Sequence, residues 1–519
     1  MKTINREKIF LLIFIAFICI YRCALIDRGA VSFPDEEIYY NSVSALSHLL
    51  NGDIKKSCSS ISNTYSRPGE ATIRSIPVLA QRIMEKNFSI EYNDPRSLAI
   101  QTIFNVIISI AILIIFYKIS LIIFDHKFGP AILGTIVYSL LANTNIYIRH
   151  ILPYNNSLLL FMIIIYYILK NLRGNSYLST KNIVIAGLLA GFSFATWDGS
   201  YIVPPFLFLI LLFTNPNFFY QNRKYYHLLI VILSTMSVLI LYEIVARIGG
   251  LSLIKLIFIQ SNSQDQGSFE EGFAFLPKYL IQVEGLIGYA ILIGSVSYLI
   301  KVLYDGMRNK TIDLADHPLK IFTLIVFIEI LFHASMTVIF QKLMFYGRFL
   351  HLFYPFLVWA TVAFVFEITN KKWKVFSFIA LSVISLASFI GFSFEYLPLA
   401  YPGDVLYKNG IKIVDKDSSN LINESPALFK ISEPGHVYKK SDFSYPAVYT
   451  ENDLILVNFC FYYPVPEEYT AYKSAKNQKL LYDAKHWQTF AAYQFEGSSM
   501  EERERISRRN YRIRIYKIK

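Results

Sequence analysis

Long apolar runs broken by short polar turns dominate the chain up to about residue 393. A helix needs roughly 20 apolar residues to cross the hydrocarbon of a bilayer. Eleven runs suit that role, at about 8–25, 98–123, 129–148, 151–170, 182–197, 200–214, 226–246, 280–303, 319–341, 346–368 and 373–393. The fifth and sixth are short and share the break TWDGSYIVPP. The first, IFLLIFIAFICIY, has the basic flank of a signal peptide but no small-residue cleavage site, so it is expected to stay as an anchor.

The pattern changes in two places. In the loop of about residues 26–97, Ile38, Val43, Leu46, Leu49 and Leu50 recur at helical spacing, and so do Ile73, Ile76, Leu79, Ala80 and Ile83. Each stretch predicts an amphipathic helix, on a membrane surface or on a soluble lobe; two of them between hydrophobic spans favour the surface. From about residue 394 the chain is irregular and then alternates. ENDLILVNFCFYY and RRNYRIRIYKIK predict strands, and SMEERERISRR a short charged helix. The expected fold is a mainly α polytopic membrane protein with about eleven transmembrane helices over residues 1–393. Its outer loop carries amphipathic helices, and residues 394–519 form a small C-terminal α+β lobe.

Composition agrees with this reading. Only 17% of the 519 residues are charged and 54% are hydrophobic, against about 25% charged in soluble domains. That excludes one large soluble globule and disfavours disorder. Lys and Arg outnumber Asp and Glu by 50 to 38, and in a membrane chain such residues set orientation. Seventeen of them fall on one set of short ends, against six (Arg149, Arg247, Lys255, Lys278, Lys342, Arg348) on the other. This predicts a cytoplasmic N-terminus, with the 26–97 loop and the tail both outside and packed over one outward-facing cavity. Cys19, Cys23, Cys58 and Cys460 show no CxxC spacing, so no zinc or redox motif is visible. Cys58 and Cys460, both on the outer side, are expected as free thiols or as a pair.

Several polar groups stand at the outer ends of the spans. FPDEEIYY follows the first span with three carboxylates, Asp35, Glu36 and Glu37. They suit an N-cap and helix dipole, a catalytic base, or both. SRPGEATIR brings Arg67 and Arg74, which suit phosphate binding or interfacial snorkelling. Arg149 and His150 lie in the turn before the fourth span, and Arg348, beside a glycine and several aromatics, at the outer end of the tenth. Asp198 and Glu284 are further outer-edge acids that would be costly facing lipid, which points to a cavity lining. His333 and His351 read as helix-contact residues. No clear metal constellation is visible, although Asp35, Glu36 and Glu37 could hold a divalent ion weakly.

This layout resembles the C-type (GT-C) glycosyltransferases, in particular the dolichyl-phosphate-mannose protein mannosyltransferase group that includes the bacterial aminoarabinose transferases. The resemblance rests, in order, on PDEEIYY, SRPGEATIRSI, DPRSLAIQTIFNVI, YIRHILPYNNSLLLFMIIIYYIL, AGLLAGFSFAT, FYGRFLHLFYPFLVWA and the tail stretch YQFEGSSMEERERI. It implies sugar transfer from a polyprenyl-phosphate carrier to a glycan, lipid or protein acceptor on the outer face of a bacterial cytoplasmic membrane. It also implies Asp35 as the catalytic carboxylate with Glu36 beside it, and Arg67, Arg96 and Arg348 as carrier-phosphate ligands. The chain departs from the family pattern in two places. LPYNNS, with Tyr154 and Asn155, stands where many members carry a second acid, and Arg67-Pro68-Gly69 replaces a Lys-Pro-Pro. Asp198 and Glu284 are the acids left for that second position.

The chemistry needs little else. A carboxylate takes the acceptor's proton, arginines stabilise the departing phosphate, and one displacement inverts the anomeric centre. A transporter or flippase is the alternative class, but paired repeats with matching broken helices are not evident. An outer-face ligase would share the phosphate site and more often use histidine as base.

Overall fold

The computed structural model describes residues 6–24, 26, 42–63, 67–88, 95–148, 150–172, 178–213, 223–263, 272–308, 317–342, 347–368 and 370–396, and four strands of the tail. Six of its helices are long and apolar enough to cross a membrane: Ile100–Ile123, Tyr154–Leu172, Tyr225–Ile248, Leu286–Arg308, Pro318–Val338 and Lys371–Ser393. Five shorter apolar helices, Ile9–Cys23, Phe128–Leu140, Thr180–Thr196, Asp198–Leu212 and Tyr354–Glu367, occupy the other expected spans. The architecture is that of a polytopic membrane protein.

Small residues set the tightest helix contacts. Thr180–Thr196 packs on Arg223–Ile248 through Gly187 and Gly191. A Cβ on Gly191 would lie 2.6 Å from the Thr235 carbonyl oxygen, and the Thr235 hydroxyl donates to Gly187 O at 3.1 Å. Such contacts matter in a membrane bundle, where apolar burial between helices gains little over lipid. Deeper in the bundle, Phe116 stacks against Tyr138 and Trp359, whose indole N–H donates to Ser120.

Two spans differ from the expected runs. The third stops at Leu140, turns through an extended Leu141 (φ −66°, ψ 142°) and resumes as the short helix Ala142–Ile146. The eighth is split by Gly285 (φ +62°) into Phe275–Glu284 and Leu286–Arg308. A left-handed φ favours glycine because it has no Cβ.

The loop after the first span holds helices Ser42–Leu50, Ile54–Ser62 and Pro68–Phe88. The middle one, capped by Asp53, was not expected from the apolar pattern. In Pro68–Phe88 the buried face carries Glu70, Arg74 and Gln81, while Ile76 and Ile83 are 63% and 54% exposed. A polar face turned into the protein and an apolar face turned out suits a helix lying on lipid.

The tail strands form one sheet in the order β1 (Leu421–Asn423), β2 (Leu454–Asn458), β4 (Arg512–Ile518) and β3 (Gln478–Lys485). β1 is parallel to β2, and the other pairings are antiparallel. β2 and β4 fall in the two stretches whose pattern predicted strands. The expected helix SMEERERISRR and Cys460 lie outside the described residues, whereas Cys58 is a free thiol.

Candidate functional site

Asp35, Glu36, Glu37, Arg149 and the Arg96 side chain lie outside the described residues. The remaining candidates, Arg67, His150, Asp198, Glu284 and Arg348, gather at one end of the bundle. There Phe128–Leu140, Thr180–Thr196 and Pro318–Val338 end, and Tyr154–Leu172 and Tyr354–Ile368 begin.

Arg67 and Asp198 are 131 residues apart and form an ion pair. Arg67 Nε and Nη2 both lie 2.9 Å from Asp198 Oδ1, with only 10% and 19% of the two side chains exposed. Local sequence makes the pairing feasible. Pro68 starts the helix that follows Arg67, its fixed φ suiting that position. Gly69 then lets this helix start against backbone: a Cβ there would lie 2.7 Å from Ala195 C and Thr196 N. Thr180–Thr196 ends at that point, and Asp198 opens the 3-10 turn Asp198–Ile202.

Arg348 lies in the 3-10 turn Gly347–Leu352, and its Nη1 donates to the Tyr154 hydroxyl at 2.8 Å. The guanidinium also sits over the Tyr154 ring, 5.9 Å from its centroid. Tyr154 packs edge-on against Tyr147 and Trp197, so the arginine is anchored on a wall of aromatic rings.

Behind this wall is a buried polar cluster centred on the short helix Ala142–Ile146. Glu284 accepts from the backbone N–H of Ala142 at 2.7 Å and of Asn143 at 2.9 Å. It caps that helix, whose first N–H groups would otherwise lack acceptors. The Asn143 amide donates to Tyr279 OH, and its Oδ1 lies 2.7 Å from His351 Nδ1. His351 Nε2 lies 3.0 Å from the Asn155 amide. The imidazole is fully buried between the two amides. Its two ring nitrogens thus bridge the side-chain oxygens of Asn143 and Asn155, with the tautomer deciding which nitrogen donates. Asn155 and Tyr154 stand where the family pattern has a second acid; here both are neutral and both are engaged.

A second network ties in the loop helix Pro68–Phe88. Glu70 accepts from Arg74 Nε at 2.7 Å, and the Asn156 amide nitrogen donates to both of its oxygens. Arg74 also donates to Gln101 and to Leu152 O. Arg74 is thus committed within the protein rather than turned towards lipid. His150 is fully buried, and its carbonyl accepts from Asn105. His333, expected as a helix-contact residue, pairs its Nδ1 with the Tyr201 hydroxyl. Glu70 and His351 were not assigned a site role from the sequence, nor was Glu329, a buried acid one turn before His333. An acid inside an apolar run was the available signal for Glu329. Among the described residues, no three of His, Cys, Asp and Glu come together as a metal site.

No protein-family model matches the sequence, and no curated protein matches it. Among solved structures the chain is similar to the crystal structure of ArnT from Cupriavidus metallidurans bound to undecaprenyl phosphate. The TM-score is 0.53 and the identity 10%, and the match covers 98% of each chain. At that identity the likeness is one of fold, and it runs from end to end: this chain shares the membrane fold of that structure.

Proposed function

We propose that this protein transfers a sugar from a polyprenyl-phosphate carrier to an acceptor at the outer face of a bacterial cytoplasmic membrane. The observation that carries the reading is the fold shared with ArnT over 98% of both chains, a transferase solved with undecaprenyl phosphate. The guanidinium groups of Arg67, nearly buried, and Arg348, half-buried, at one end of the bundle fit it, since that chemistry needs cations beside a lipid phosphate.

In this reading Asp35 takes the proton from the acceptor's hydroxyl or amine as it attacks the anomeric carbon, with Glu36 orienting it. Charge grows on the carrier phosphate as the glycosidic bond breaks, and Arg67, Arg96 and Arg348 stabilise it. One displacement inverts the anomeric centre. Asp198 serves by holding Arg67, and Tyr154 by holding Arg348. Arg149 and His150 are further candidates for the headgroup region, and residues 394–519 form an extracytoplasmic lobe beside the 1–393 membrane domain.

The test is sugar transfer from a polyprenyl-phosphate donor by purified protein. Asp35→Asn keeps the side-chain size and can still cap a helix, but cannot accept the proton. Turnover should fall by roughly 10² or more with insertion intact, while Glu37→Gln, from the same turn, changes little. Near-wild-type turnover in Asp35→Asn would remove it from catalysis.

A further inference from the structure

Arg22 occupies the last turn of the first apolar helix, Arg6–Cys23. An arginine there ordinarily reaches outward so that its head meets water. Arg22 turns inward instead. It is 2% exposed, although Cys23 and Ala24 beside it are exposed. Its Nε donates to Asn145 Oδ1 at 3.3 Å, and its Nη1 has no hydrogen-bond partner. Tyr138, Tyr21 and Cys19 are its electrostatic neighbours, and no carboxylate among the described residues pairs with it.

A guanidinium does not shed its proton in a protein. A buried charge without a counter-charge costs several kcal/mol, and the carbonyl end of one helix offsets about 1 kcal/mol at most in ordinary settings. We propose that Arg22 is a binding residue for a lipid phosphate that enters this end of the bundle. Position narrows the anion. Arg22 ends a span, so headgroup phosphates are the anions at its depth, whereas a free ion would have to lose its water. Asn145, which it touches, belongs to Ala142–Ile146, the short helix whose Asn143 holds His351. The arginine therefore joins the same polar layer as the candidate site. Only the choice of carrier lipid over ordinary phospholipid rests on the function proposed above.

The experiment is thermal unfolding of the full chain in detergent, alone and with decaprenyl phosphate, phosphatidylglycerol or inorganic phosphate. Without lipid, Arg22→Gln should melt at or above wild type, because it removes a buried charge that no carboxylate among the described residues pairs with, and it can still donate to Asn145. Decaprenyl phosphate should raise the wild-type melting temperature and bind Arg22→Gln at least roughly tenfold more weakly. Arg22→Lys, which keeps the charge, should retain part of the shift. A shift with decaprenyl phosphate alone identifies the carrier, and an equal shift with phosphatidylglycerol identifies a general headgroup site. A lower lipid-free melting temperature or loss of folded protein in Arg22→Gln, an unchanged lipid shift, or the same shift from inorganic phosphate would overturn the proposal. Sugar transfer is not read in this assay. A protein that binds through Arg22 yet transfers nothing would defeat the proposed function and leave this inference standing.

Discussion

Glu284 was a candidate acid by position, and the structure gives it a different task that can be measured. Its carboxylate accepts two backbone N–H groups of Ala142 and Asn143 in a fully buried place. Glu284→Ala removes both acceptors at once. An unsatisfied buried donor costs about 1–3 kcal/mol, so the pair and the small cavity together should cost about 3–5 kcal/mol. Glu284→Gln keeps one acceptor oxygen but turns an NH₂ towards the second N–H, and should cost about 1–3 kcal/mol. The assay is denaturant unfolding in detergent, with sugar transfer measured on the folded fraction. Wild-type stability of Glu284→Gln, joined to a transfer loss of roughly 10² or more, would make Glu284 a base and refute the capping argument.

Two further outcomes follow from the same geometry. Arg348→Ala should raise the KM for the lipid donor by the equivalent of about 1.5–3 kcal/mol, one charge-assisted contact, with a smaller effect on turnover at saturation; an unchanged KM would remove Arg348 from the carrier site. Gly69→Val puts a side chain where Ala195 and Thr196 backbone already lies, and should cost about 1–3 kcal/mol while pulling Arg67 from Asp198. A melting temperature equal to wild type would show that the loop helix does not rest on that backbone.

Hydropathy made the spans legible because burial in lipid and burial in protein demand the same apolar runs. It could not locate the break at Leu141. The ANTN stretch satisfies the broken helix locally, with Thr144 and Asn145 donating to the carbonyls of Tyr138, Ser139 and Leu141. Periodicity announced the helix Pro68–Phe88 but not which face turns inward, since an apolar stripe at helical spacing looks the same against a core or against lipid. Arg67 and Asp198 each stood out alone. Nothing in their spacing announced the pair, because the fold brings them together across 131 residues. Arg22 was passed over because one arginine at the end of an apolar run looks like an interfacial anchor. Asp35 and Glu36, the residues on which the catalytic reading rests, remain proposals because they lie outside the described residues.

The inward polar face of Pro68–Phe88 explains how a loop becomes part of a membrane domain. Burying Glu70 and Arg74, each with about 1% of its side chain exposed, is costly unless every lone pair and N–H is met. Asn156, Gln101 and the Leu152 carbonyl meet them, and Gln101 is held in turn by Gln81. These partners come from the starts of Pro95–Ile123 and Tyr154–Leu172 and from the turn between spans, so the network fastens the loop helix to the bundle at several points. Arg67 stands three residues before Glu70 and inherits that rigidity. The opposite face, with Ile76, Leu79 and Ile83 exposed, would be a liability in water but suits a lipid surface. Under the proposed function, a helix fixed on its polar side and lying on lipid with its apolar side would hold Arg67, the residue before it, at the level of a lipid-borne phosphate.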